Sequence, residues 1–192
     1  MKSKLKVYFA GALFNHKDLI GNLLLANKIT ECSSGHYTVV LPQDIEVQDY
    51  RAKSIRDNDL KAVIDADMLI LNFDGSELDS GTVVEYIFAK YLDKPTVVLR
   101  TDFRSGGDQV EGEPWNLMCS FFPRNKVILI DAMKYYKEYM DNDLSIEQFY
   151  EKMALEVVKS LDEVLEIKPL LPKDSKNEEF LREWAYKFAG IE

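Results

Sequence analysis

Five short apolar runs recur along the chain, at Leu5–Ala10, Tyr37–Leu41, Met68–Phe73, Thr96–Leu99 and Val127–Ile130, and segments of helix-like composition separate most of them. Runs that are short and apolar throughout suit strands buried on both faces, and the intervening helices supply the cover. The expected fold is therefore α/β: a doubly wound, Rossmann- or flavodoxin-like parallel sheet of about five strands with helices on both faces. Helices are expected at Lys17–Thr30, at Ser54–Asp65, and from Ser80-Gly81 to about Leu92, where Lys94-Pro95 ends the third.

Beyond Asp131 the chain reads as helical. Ser145 and Gln148 have capping-box spacing, and Ile146, Phe149, Met153, Val157, Leu161 and Val164 then repeat every three or four residues, as in a helix packed on the domain. Pro169 and Pro172 bracket a short linker. After it, Phe180, Leu181, Trp184 and Phe188 form an apolar stripe on a polar helix, expected to dock on its own domain, with a neighbouring subunit as the alternative. At 192 residues and 46% hydrophobic, the chain has the material for one substantial core. We read one α/β domain over residues 1–168 and a helical extension, not an independent domain, over 169–192. Residues 102–113, DFRSGGDQVEGE, form a polar loop with the character of a lid or a subunit contact.

Charge and cysteine use narrow the partners. With 33 acids against 24 bases the net charge is −9, and no stripe of Lys and Arg could neutralise phosphates, which argues against nucleic acid and anionic membrane. No stretch approaches the roughly 20 apolar residues of a membrane span. Cys32 and Cys119 form no CxxC pattern and fit reduced thiols, so a cytoplasmic protein is expected.

The segment NFDGSELDSGTVVEY, residues 72–86, is where the chemistry concentrates. It follows the third apolar run and carries four acids, two glycines and no Lys or Arg. In a doubly wound sheet, ligands bind beyond the carboxyl ends of the strands, where Gly11–Phe14, Asp74–Asp79 and Arg100–Asp102 would gather. A phosphate would be repelled by Asp74, Glu77 and Asp79. The Asp-x-Asp-Gly magnesium loop of the haloacid-dehalogenase phosphatases would need an Asp where Asn72 stands. Glycosyl chemistry wants what the loop offers: one carboxylate to attack or stabilise an anomeric carbon and another group to protonate the departing base. Asp79 and Glu85 could not share a helix face, since six residues turn through about 240°. Asp79 is therefore expected in the loop and Glu85 one turn into the helix, with Gly81 leaving room for a ligand near the backbone.

With these residues in view, the chain resembles the nucleoside 2-deoxyribosyltransferases. The carriers are VYFAGALF (7–14), RDNDLKAVIDADMLI (56–70), LDSGTVVEY (78–86) and WNLM (115–118). The resemblance implies that Glu85 is a nucleophile that attacks C1′ of a 2′-deoxynucleoside and holds the sugar as an ester until a second base displaces it. Asp79 would bind a sugar hydroxyl, Asp59 would exchange a proton with the base, and Tyr8 would orient the nucleophile. Asn116 would reach the deoxyribose of an adjacent subunit and Gln43 would read the base edge. Phe14 would stack on the base, with Gly11 beside it in the same first loop. The implied partners are small-molecule 2′-deoxynucleosides and free nucleobases, with no metal or organic cofactor. A homo-oligomer, dimer or hexamer, with shared sites is implied as well.

Three departures and alternatives bear on that resemblance. The 102–113 loop and the C-terminal extension exceed the compact bacterial transferases, which leaves Glu192 without an expected role. The sister nucleoside 5′-monophosphate N-glycosidases, which use water as acceptor, carry a phosphate-holding G-S-I-R after the first strand; here the segment is Gly11-Ala12-Leu13-Phe14. A non-catalytic nucleoside-binding protein on the same fold is the reading from a different class.

Overall fold

The computed structural model describes residues 3–46, 51–104, 114–172 and 174–191. Strands β1 (Leu5–Ala10), β2 (Tyr37–Val40), β3 (Met68–Asn72), β4 (Thr96–Arg100) and β5 (Asn125–Leu129) make one sheet in the order β2-β1-β3-β4-β5. Every pairing is parallel, with Tyr8 of β1 opposite Val40 on one side and Leu69 on the other. This is the flavodoxin-like order, whose connections part company at the β1/β3 boundary, so that a crevice opens beyond Ala10 and Asn72.

Alternation along the strands builds two cores. Val7, Phe9, Met68, Ile70, Val97 and Leu99 point to the face covered by α1 (His16–Cys32) and α5 (Ile146–Leu165), to which α4 (Ala132–Asp141) adds Tyr135. Tyr8, Ala10, Leu69, Leu71 and Val98 point to the opposite face, under α2 (Ala52–Asp65), α3 (Ser80–Tyr91) and α6 (Ser175–Ala189). The chain is thus an α/β protein with an all-parallel five-stranded sheet and C-terminal helices. It is the second face, the one carrying Tyr8, that positions the candidate chemistry.

Observed boundaries follow the apolar pattern with informative exceptions. β5 begins at Asn125, two residues before the apolar run, because Asn125 and Lys126 still pair with Thr96 and Val97. An edge strand tolerates such residues, and Val127 and Leu129 show the other side to solvent. The capping box of α5 forms as expected, Ser145 and Gln148 each bonding the other's backbone N–H. Ile146 is exposed in its first turn, and the buried stripe starts at Met153-Ala154.

The C-terminal helix departs more. Its buried residues against α2 are the small Ala185 and Ala189, while Phe180 and Phe188 are 66% and 67% exposed. Trp184 stacks on Phe188, which stacks in turn on Phe88 of α3. The stripe therefore docks only through its rim, and an ion pair from Arg182 to Asp65 (2.7 Å) helps tie the helix down. Residues 105–113 of the polar loop and Glu192 lie outside the described residues. Among the described helices, none is long and apolar enough to cross a membrane. Cys32 and Cys119 are free thiols.

Candidate active site

Tyr8 sits at the middle of β1 and is fully buried. Its hydroxyl donates to Glu85 Oε1 at 2.7 Å, joining β1 to the second turn of α3. Burial is the main reason that the Glu85 carboxyl is pushed up to about 7; the Asp59 and Asp79 charges add to this, and the Tyr8 bond opposes it by favouring the anion. The Tyr8 hydroxyl is itself pushed far above its ordinary value, first by burial and then by Glu85, so it stays a donor. Asp59, half-buried on α2, is pushed up to about 6 by burial. Three groups from β1, α2 and α3 thus meet in one electrostatic neighbourhood, with two carboxyls that titrate close to neutrality.

Asp79 lies just outside α3, as the 240° argument required. It is the N-cap, and its Oδ2 accepts from the Thr82 backbone N–H at 2.7 Å and from the Thr82 hydroxyl at 3.0 Å. A side chain on Gly81 would place a Cβ 3.1 Å from that same oxygen, so the glycine keeps the Asp79 carboxylate where it is. A cavity of about 560 Å³ opens beside Asp79, between the acidic loop and α1 and α5. Of the nine residues singled out from sequence, Asp79 alone lines it. A larger cavity of about 990 Å³ lies at the amino ends of the strands and touches none of the nine.

Of the remaining five, Gly81 adjoins the Asp79 carboxylate, and no hydrogen bond among the described residues joins the other four to Tyr8, Asp59 or Glu85. Gly11 is buried, with no room for a side chain: a Cβ there would meet the Asn72 Cβ at 3.1 Å. Phe14 is 78% exposed and has no ring partner among the described residues. Gln43 donates through Nε2 to the Leu19 carbonyl at 2.9 Å, leaving its buried Oε1 without a partner among the described residues. Asn116 is exposed and caps its own short 3₁₀ turn, Leu117–Cys119, by accepting from Met118 N–H at 2.9 Å. Beside it Met118 is 79% exposed and Phe121 82%. Gly81, the fifth, is exposed at the start of α3.

Sequence reasoning missed the role of Asp74, Arg100 and Asp102, which cross-link the acidic loop to the end of β4. The signal in the sequence is slight: one cation closing an apolar strand, TVVLR, and an Asp two residues on. Among the described residues no group of three or more His, Cys, Asp or Glu could hold a metal ion.

A flavodoxin-like sheet that sets a buried tyrosine and two partly buried, raised carboxyls beside its switch point defines a candidate enzyme of acid–base or nucleophilic type. The chain belongs to the nucleoside 2-deoxyribosyltransferase family, whose model matches residues 7–118, more than half of its length. Among solved structures it is similar to a conserved protein from Enterococcus faecalis V583, at 24% identity and a TM-score of 0.56, covering 73% of this chain and 99% of that one. It is also similar to a 2-desoxiribosyltransferase from Leishmania mexicana, at 21% identity and a TM-score of 0.51, with 73% and 99% covered. At these identities the likeness is one of fold. No curated protein matches. The matched span covers all nine candidate residues and stops before β5, α4, α5 and α6.

Proposed function

We propose that the protein transfers 2-deoxyribose between nucleobases by two displacements at Glu85. The observation that carries this reading is the 2.7 Å bond from a buried tyrosine, kept protonated by its burial, to a partly buried carboxyl inside the family-matched span. An isolated structural carboxylate would be exposed or paired with a cation; Glu85 is held by a neutral donor that aims one oxygen and leaves the other available.

In the first displacement Glu85 attacks C1′ of a 2′-deoxynucleoside. The bond from C1′ to the base nitrogen breaks, its electron pair stays on the base, and Asp59 supplies the proton. The sugar is left as an ester of Glu85. In the second displacement the nitrogen of an acceptor base attacks C1′ from the vacated side, the ester bond returns its pair to Glu85, and Asp59 takes back the proton. Two inversions give net retention. Asp79 binds a sugar hydroxyl, and a carboxylate suits that task because it accepts strongly from O–H donors. Gln43 reads the base edge and Phe14 offers it a stacking face. Electrons and protons balance without a cofactor. Asn116 serves the site of an adjacent subunit in a homo-oligomer, consistent with its exposure beside Met118 and Phe121.

Hydrolysis of a 2′-deoxynucleoside 5′-monophosphate is the second reading. The cavity beside Asp79 weighs against it: Asp18, Asp74, Glu77 and Asp79 line it and Lys17 is the one cation there, a poor setting for a phosphate.

The test is to incubate the protein with a 2′-deoxynucleoside, with and without a second free base, and to follow nucleosides and released deoxyribose by chromatography. A new deoxynucleoside that requires the acceptor is expected, and Glu85→Ala should abolish it with the fold intact. Deoxyribose released regardless of acceptor would replace transfer by hydrolysis, and no turnover of either kind would favour a nucleoside-binding protein.

A further inference from the structure

The acidic loop is clasped to the neighbouring strand by a reciprocal set of bonds that the proposed chemistry does not use. Asp74 Oδ1 accepts from the backbone N–H of Thr101 at 2.5 Å and of Asp102 at 2.8 Å, and Oδ2 accepts from the Thr101 hydroxyl at 2.6 Å. Asp102 answers by accepting from Gly75 N–H at 3.2 Å. Beneath them Arg100, only 3% exposed, donates to the Phe73 carbonyl and to the Gly75 carbonyl (3.2 Å). The loop thus contributes two carbonyls, an N–H and a carboxylate, and the end of β4 contributes the matching donors and acceptors.

This clasp sits where the chain leaves the sheet for the site. Phe73 completes the ladder by donating to the Leu99 carbonyl at 2.8 Å, and its ring packs edge-on against Tyr86, the neighbour of Glu85, and against Trp115. Gly75 follows at φ +108°, a backbone conformation that a side chain would strain, and four residues later comes Asp79. Glu85 has its own anchor in Tyr8; the Asp74–Asp79 segment is bonded to the sheet through the clasp.

We infer that Asp74, with Thr101, Arg100 and Asp102, is a positioning device that fixes Asp79 for the sugar, acting on substrate binding and leaving the reactivity of Glu85 untouched. The inference rests on the role proposed above for Asp79. Burying an arginine is costly unless its donors are satisfied, and here three consecutive residues, Arg100, Thr101 and Asp102, bond three consecutive residues of the loop, Phe73, Asp74 and Gly75.

The experiment compares wild type, Asp74→Asn and Thr101→Val in the transfer assay over a range of pH, with calorimetric binding of a 2′-deoxynucleoside and amide exchange over residues 75–79. Asn keeps one oxygen for the two backbone N–H groups but loses the charge and sets an N–H₂ against the Thr101 hydroxyl in place of its acceptor, whereas Val removes that hydroxyl at nearly constant shape and keeps a folded control. For Asp74→Asn, KM should rise about tenfold with kcat within about twofold, since displacing a substrate-positioning group by a fraction of an ångström costs on this scale. Thr101→Val should show the same pattern at roughly two- to fivefold. The double variant should add less than the product of the two, because both act on one clasp. Exchange over 75–79 should quicken in each variant while the pH profile stays in place.

Unchanged KM with unchanged exchange would overturn the inference, as would a fall in kcat with a displaced pH profile, which would make the clasp part of Glu85's environment. If wild type binds the nucleoside without turnover, the transferase reading fails and the dissociation constants test the clasp in place of KM. If wild type neither binds nor turns over, both fall.

Discussion

Tyr8 and Glu85 are 77 positions apart in the chain and 2.7 Å apart in the fold, and their contact governs how the site responds to pH. In the proposed mechanism the competent form has Glu85 ionised and Asp59 protonated, whereas burial pushes Glu85 up to about 7 and Asp59 up to about 6. Between those values the pair holds one proton, and the molecules that carry it on Asp59 are the competent ones. The rate should therefore follow a bell with its maximum between pH 6 and 7, and the two limbs belong to the pair. Tyr8→Phe removes the bond that favours the anion. Glu85 then holds its proton more tightly, the alkaline limb moves up, and the maximum falls roughly 10- to 100-fold, the value of a hydrogen bond to a charged group. Asp59→Asn should abolish the alkaline limb. pH–rate profiles of the two variants check both expectations.

The same shift has a thermodynamic side. Because the folded protein binds the Glu85 proton more tightly than the unfolded chain, folding is favoured at low pH, and that advantage is lost as pH rises from about 4.5 to about 7. Glu85→Gln cannot ionise and keeps an acceptor for Tyr8. It should match wild type below about pH 4 and exceed it by up to about 3 kcal/mol at pH 8 in urea titrations. The placing of Asp79 outside α3 and of Glu85 within it was legible in the sequence, because six helical residues turn through about 240°, whereas Tyr8 and Asp59 entered only with the family resemblance. The partners of Asp74 were not legible, since its donors are mainly backbone N–H groups 27 and 28 positions on, which leave no mark in side-chain patterns.

At the scale of elements, α3 shows how one position serves two ends. Its N-cap is also the proposed sugar ligand, and Gly81 keeps that carboxylate unobstructed. Gly81→Ala should gain helix propensity worth up to about 1 kcal/mol while pressing on Asp79 Oδ2. We expect the melting temperature to hold or rise and KM to worsen severalfold, a split that calorimetry and kinetics together would reveal. In α5 no such conflict exists, so Ser145→Ala should cost about 1 kcal/mol through its lost cap and leave activity alone. Strand positions were readable to within about two residues because apolar runs mark them. The docking face of α6 was not: hydrophobicity singles out Phe180, Trp184 and Phe188, whereas close approach to α2 selects Ala185 and Ala189.

For the whole molecule, the division into two cores separates support from chemistry. The face under α1 and α5 carries none of Tyr8, Asp59 and Glu85, while the face under α2, α3 and α6 is built around them. Exposed Asn116, Met118 and Phe121 on one side, and Phe180 and Phe188 on another, give the molecule apolar surface that assembly would cover. If Asn116 acts on a neighbour, inactive Asn116→Ala and Glu85→Ala proteins should recover part of the activity after being mixed and allowed to exchange subunits, since some sites then receive both native residues. Sedimentation would show the assembly; an active monomer would refute the shared site.

β1 is bonded along both edges, so the backbone that carries Tyr8 is held by the sheet on either side, whereas the carboxylate proposed to bind the sugar stands between a loop clasped to β4 and the first turn of α3. If the clasp opens before the sheet does, such a catalyst should grow forgetful before it grows weak under gentle denaturation, losing its hold on the substrate's hydroxyl while the step at Glu85 persists.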